Sequence, residues 1–318
     1  MGINFADAGH ILGSAIVEIC ITENGDVKKL VFSGDLGNSQ AALLRDPDII
    51  KEADIVLLES TYGDRNHRSM EATLDEFEQV ILQASENGGN ILIPSFAVGR
   101  TQEIIFRLGE LYQQGKLAQQ RVFLDSPMAI AVTEIYHRYQ DVYNEEDLDA
   151  ISDSAERVHS QNQSLHSLLP ILSYTTSTEE SIALNKVVSG AIIIAGSGMC
   201  NGGRIRHHLK QNLWRKQSHV VFVGFQAMGT PGRKIIDGAT HVKMAGEDIA
   251  VRAQIHTLGG FSAHASQEQL IDWLSHFNTL PKIYLIHGEE GAKHTLQRAI
   301  KEKGWNAFIP HFEETIRF

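Results

Sequence analysis

Between residues 71 and 245, apolar strand-like runs and amphipathic helical stretches take turns, and nothing else in the chain restricts its fold as tightly. Residues 91–96, 122–124, 191–195 and 220–223 form short continuous apolar runs rich in β-branched residues, as strands buried on both faces require. Helical patterns separate them. Leu74, Phe77, Val80, Ile81 and Ala84 share one face, and Asn87-Gly88-Gly89 stops that helix. Residues 101–114 form another pattern, stopped by Gly115, with further helices near 129–139 and from Arg204. Parallel strands need crossover connections, so this alternation predicts a mostly parallel sheet with helices on both faces. Residues 141–167 are polar and poorly periodic, and we expect surface helices and loops there.

The two ends of the chain read differently. Residues 15–22 and 28–33 form a hairpin pattern turned by Asn24-Gly25, and 55–58 is a short strand. Late in the chain, Ile249, Val251, Ala253 and Ile255 alternate with polar residues, as in one half-exposed strand. A helix over 267–277, a strand at 283–286, a helix after Gly291 and a terminal strand near 307–309 follow. The expected organisation is a discontinuous α/β domain, residues 1–70 with 249–318, and an inserted parallel-sheet domain, 71–248.

Composition excludes some classes. With 42% hydrophobic and 21% charged residues the chain can bury a core, and no apolar run reaches membrane-spanning length. Two cysteines, Cys20 and Cys200, make no disulfide framework and no CxxC pattern. No leader is expected, because the start has neither a basic region nor a long apolar stretch, and the cytoplasm is the expected location. A net charge of −11 argues against a polyanion partner, but the distribution argues for one. Between Glu180 and Asp237 there is no acid, while Lys186, Arg204, Arg206, Lys210, Arg215, Lys216, Arg233 and Lys234 lie there. A buried sheet with one solvated helix face would give the same pattern.

Five short stretches carry residues that bind metals or move protons: Gly9-His10, Ser33-Gly34-Asp35, Glu59-Ser60-Thr61-Tyr62-Gly63, Ser262-Ala263-His264 and Ile286-His287-Gly288-Glu289. Each places its polar residue near the end of an apolar strand or in a loop, beside small residues, where a rigid sheet hands side chains to a site. Taken singly, Glu59 also reads as a helix-capping carboxylate, His264 as a cap and His287 as a satisfied strand-end histidine. As an ordered set they resemble the motifs of the β-CASP branch of metallo-β-lactamase-fold nucleases. Pro94-Ser95-Phe96-Ala97-Val98-Gly99-Arg100, Ser197-Gly198-Met199 and Val223-Gly224-Phe225-Gln226 extend the likeness over essentially the whole chain.

The resemblance implies a partial metallo-β-lactamase αββα sandwich with an inserted β-CASP domain, and zinc-dependent hydrolysis of RNA phosphodiesters. His10 would bind one zinc, His287 the other, and Asp35 would bridge them and share in catalysis. His264, held by Glu59, would protonate the leaving oxygen. Histidine at the position of His287 goes with RNA substrates in this family. The glycine loop from Gly196 to Arg204 brings backbone N–H groups near phosphate. Ser197, Gly198, Arg100, Arg204, Arg206, Arg233 and Lys234 are therefore candidate RNA contacts. RNA is the implied partner, with no membrane, and homodimer formation is left open.

The sequence departs from the family in one respect. The family's HxHxDH metal motif, expected ahead of His10, does not occur in these 318 residues. Relative to the family the chain therefore reads as N-terminally truncated. An incomplete metal site, impaired activity of the chain alone and an uncovered apolar sheet face are expected to follow. The alternative is a non-catalytic RNA-binding or scaffold protein that kept the fold.

Overall fold

Asn24 and Gly25 both adopt positive φ, 51° and 89°, the two-residue turn whose twist matches the strands it joins. They fold β2 and β3 into the expected hairpin. A computed structural model describes residues 1–39, 41–157 and 164–316. In chain order its strands are β1 (Gly2–Asp7), β2 (Ala15–Glu23), β3 (Asp26–Phe32), β4 (Ile55–Leu58), β5 (Ile91–Pro94), β6 (Arg121–Leu124) and β7 (Leu172–Tyr174). Then come β8 (Ala191–Ala195), β9 (His219–Phe222), β10 (His241–Met244), β11 (Glu247–Ala250), β12 (Gln254–Thr257), β13 (Lys282–Leu285) and β14 (Ala307–Phe308). The chain divides into two units, residues Met1–His67 with Ala263–Phe318, and Arg68–Ser262.

The first unit is built on a six-stranded sheet of order β1-β2-β3-β4-β13-β14. β1, β2 and β3 pair antiparallel, and β3, β4, β13 and β14 pair parallel. Helices Gln267–Ser275 and Glu290–Glu302 cover one face, packing Leu270, Trp273, Leu274, Leu296 and Ile300 onto Ile16, Val31, Val56, Ile283 and Leu285. Ser266 starts the first of these helices in a reciprocal capping box with Gln269.

The other face carries an apolar row that crosses all six strands in register, Phe5, Val17, Phe32, Leu57, Tyr284 and Phe308. Phe5 is 68% exposed and Phe308 51%. Among the described residues this face is therefore partly open. Such a face should bind a hydrophobic dye in the native state. We expect the folded chain to enhance anilinonaphthalene sulfonate fluorescence, and Phe5→Ser with Phe32→Ser to reduce that enhancement without loss of far-UV signal. An unchanged enhancement would place the dye elsewhere.

The second unit holds a six-stranded sheet of order β12-β9-β5-β8-β6-β7, parallel throughout. Every residue of β5, β8 and β9 is buried, which accounts for their apolar character, His219 at the start of β9 excepted. Residues 249–255 are not the single strand that the alternation suggested. β11 pairs with β10, and β12 joins the parallel sheet beside β9. The break occurs because the N–H groups of Val251, Arg252 and Ala253 are drawn to the carbonyls of Thr240 and Leu213. The first unit resumes at Ala263.

The polar stretch over 141–167 carries helices, as expected, but not all of it lies on the surface. It contains a helix over Glu145–Arg157, and a short one over Leu165–Leu168 whose Leu165 and Leu168 are buried. Leu168 occupies the space that a Cβ at Gly109 would fill. Residues 158–163, part of the same expectation, lie outside the described residues. Among the described residues no helix is long and apolar enough to cross a membrane.

Candidate metal and catalytic centre

Strands β1, β3, β4 and β13 run in the same direction, and each hands the chain on at the same edge of the first unit's sheet. His10 follows β1, Asp35 follows β3, Glu59 follows β4 and His287 follows β13. Residues far apart in sequence thereby meet. His264 joins them from the loop before helix Gln267–Ser275, fixed by a bridge to Gly37.

The five side chains form one connected cluster. Asp35 Oδ1 lies 3.2 Å from His287 Nδ1, and Asp35 Oδ2 lies 3.9 Å from His10 Nε2. Glu59 Oε1 accepts from His264 Nδ1 at 3.2 Å, and the rings of His10 and His264 are 4.3 Å apart. Tight backbone packing holds the loops. Gly9 and Gly37 cross so closely that a Cβ on Gly37 would fall 2.1 Å from the Gly9 carbonyl. His287 itself takes φ 45°, a left-handed conformation that a side-chain-bearing residue adopts at some energetic cost. Its carbonyl accepts from Ser60 N at 2.9 Å, and Thr61 Oγ1 sits 3.2 Å from its Nδ1.

Burial sorts the charges. Glu59 is 1% exposed. Burial alone would push its carboxyl up, but His264 and the N–H and hydroxyl of Thr61 hold it below the ordinary glutamate range. It also accepts from Leu36 N at 2.7 Å, so its orientation is fixed on several sides. Burial, then the neighbouring His264, push the His10 imidazole down to about 4, against the pull of the Ala263 carbonyl, Asp35 and Glu59. His10 is therefore neutral at pH 7, the form that binds a metal.

The donor set suits a divalent zinc-type ion. His10, Asp35 and His264 offer ligand atoms within 4.8 Å of one another, as do Asp35, Glu59 and His287. Asp35 belongs to both groups. The buried Nδ1 of His10 has no hydrogen-bond partner among the described residues. A polar atom left so usually has an unseen partner.

The candidate RNA contacts lie in the second unit, and the structure treats them unequally. Ser197 and Gly198 sit in the loop after β8, where Ser197 Oγ closes the loop by contacts to Asn201 and Gly202. Phe96 packs against Gly198 so closely that no Cβ fits. Arg206 is half-buried and Lys234 exposed, and neither is ion-paired among the described residues. Arg233 pairs with Asp237 one turn on.

Two of these candidates are already engaged within the second unit. Arg100 is buried and paired with Glu103 within its own helix, so it cannot reach a phosphate. Arg204 is held by Asp125 at 2.7 Å and by the carbonyls of Thr175 and Thr176, which makes it a clamp on the loop. The sequence reading overlooked His67, whose Nε2 lies 2.8 Å from the His264 carbonyl, and Thr61 beside His287. Thr61 lay in a quoted motif and was legible there, whereas nothing local marks His67.

Residues 101–235 match the Beta-Casp domain, and residues 248–310 match the Zn-dependent metallo-hydrolase RNA specificity domain. A ribonuclease of Thermus thermophilus is 39% identical over 99% of this chain and 69% of its own length. A transcription termination factor, FttA, of Methanocaldococcus jannaschii is 30% identical over 98% of this chain and 49% of its own. An RNase J-like protein of the same organism is 30% identical over 90% of this chain and 63% of its own. The chain thus spans between about half and two-thirds of the length of these relatives. Edge-clustered histidines and carboxylates on one unit, a parallel sheet in the other and these matches lead to one assignment: the chain belongs to the β-CASP family of metallo-β-lactamase-fold ribonucleases.

Proposed function

We propose that the chain hydrolyses RNA phosphodiesters with zinc held at His10, Asp35 and His287, weakly where these three residues alone supply the ligands. The observation that carries this reading is the meeting of His10 and Asp35, from the first 35 residues, with His287 on one sheet edge. When bound, zinc there supplies Lewis-acid polarisation of the phosphoryl group and lowers the pKa of water. The chain's own groups do the rest. Asp35 links the two imidazoles, and neutral His10 offers a lone pair without first losing a proton. Glu59 fixes the His264 ring through Nδ1, so that Nε2 is the atom that gives a proton to the leaving oxygen.

The test is zinc uptake by the purified 318-residue chain, with cleavage of an end-labelled single-stranded RNA. Asp35→Asn should lower zinc affinity by more than ~100-fold, since changes to groups merely supporting a ligand already cost 10–100-fold. Cleavage should fall with it. RNA binding without zinc uptake or turnover in the unaltered chain would overturn the hydrolase reading and leave the scaffold one.

A further inference from the structure

Trp214 is half exposed and lies beside cations. Arg215, Lys216 and Arg252 line the same open hollow of about 500 Å³, completed by Val188 and Gln217. None of the three cations is ion-paired among the described residues, whereas Arg100, Lys210 and Arg233 are. The Arg215 guanidinium carbon lies 5.2 Å from the indole centroid, a cation–π contact that holds both groups in place. The Nε of Arg215 is buried without a hydrogen-bond partner among the described residues.

The backbone beneath is fixed. Ser218 N donates to the Arg215 carbonyl at 3.1 Å, and the N–H groups of Arg252 and Ala253 both donate to Leu213 O. These residues directly precede β8, β9 and β12, three strands of the parallel sheet. The hollow therefore lies at the N-terminal ends of those strands, the opposite end from the glycine loop after β8.

A flat ring open to solvent, flanked by unpaired cations in a hollow with no acid in its lining, has the chemistry that takes a stacked base and its phosphates. An acidic peptide would use the charges but not the ring. We propose that this hollow binds single-stranded RNA, with a base stacked on Trp214 and backbone phosphates on Arg215, Lys216 and Arg252. The choice of RNA among polyanions rests on the function proposed above. The site would hold a stretch of substrate by its backbone and would not depend on sequence.

The experiment measures binding of a fluorescent oligouridylate of about ten nucleotides to the full chain in chelator, where nothing turns over. Trp214→Ala should weaken binding roughly ten-fold, and Trp214→Phe should keep most of the affinity. Changing Arg215, Lys216 and Arg252 together to Ala should lower the log–log salt slope by about 2, three phosphate contacts at ~0.7 each. Unchanged affinity in Trp214→Ala, no binding by the unaltered chain, or equal competition by polyglutamate would each overturn the proposal. Thermal unfolding of each variant checks that it is folded. Lost RNA cleavage alongside Trp214-dependent binding would sink the hydrolase reading and leave this one standing.

Discussion

His264→Ala is expected to slow RNA cleavage by about 10²–10⁴-fold, the usual worth of a positioned proton donor. That equals roughly 3–5 kcal/mol of lost transition-state stabilisation. RNA affinity should be unchanged, because the ring acts on the leaving oxygen. Zinc content separates two roles that the geometry alone leaves adjacent, since His264 also shares a potential ligand group with His10 and Asp35. Unchanged zinc with lost turnover identifies the proton donor, whereas zinc lost in parallel makes His264 a ligand. Glu59→Gln should cost less than His264→Ala. It keeps the shape of the side chain but removes the charge that orients and stabilises a protonated ring at 3.2 Å. If His264→Ala cleaves at the parent rate, proton donation comes from elsewhere.

Much of this centre was legible because the sequence placed His10, Asp35, Glu59 and His287 just past apolar strands, and parallel strands bring such ends together. β8, Ala-Ile-Ile-Ile-Ala, could only be a strand buried on both faces. What escaped was partnership at a distance. Arg100 has its partner three residues away, so its burial was within reach of the sequence. Arg204 finds Asp125 at a separation of 79 residues, and no local pattern announces that pair. The same holds for β12. Its alternation looked continuous with 249–253, and only the carbonyls of Leu213 and Thr240 divide it. Charge counted along a chain cannot distinguish a cation that meets phosphate from one already spent inside, and that is why Trp214 and Arg252 emerged only in three dimensions.

Asp125 carries the other large expectation. It directly follows β6, fully buried, with polar partners on both carboxylate oxygens. Oδ1 takes Thr175 Oγ1 at 2.5 Å and Arg204 Nη1 at 2.7 Å, and Oδ2 takes Ser181 Oγ at 2.6 Å and His208 Nε2 at 2.5 Å. Burial alone would raise its carboxyl, but His208, Ser181, Thr175 and Arg204 together hold it far below the ordinary aspartate range. The Asp125–His208 pair looks chemically like Glu59–His264, yet it is sealed: the His208 side chain is 1% exposed against 18% for His264. It is a structural pin that ties the segment after β7 to the glycine loop and its helix. Asp125→Ala should destabilise the chain by about 3–5 kcal/mol, the range for breaking a buried pair by removing one partner. At ~2–4 °C per kcal/mol, the unfolding midpoint falls by roughly 6–20 °C. The sign with pH follows from the lowered value. The stabilisation is complete above the unfolded aspartate pKa of ~3.9 and is lost as pH falls below it, so the variant and parent should converge in acid. A variant that keeps the parent midpoint at pH 7, or a gap that does not narrow in acid, would remove Asp125 from this role.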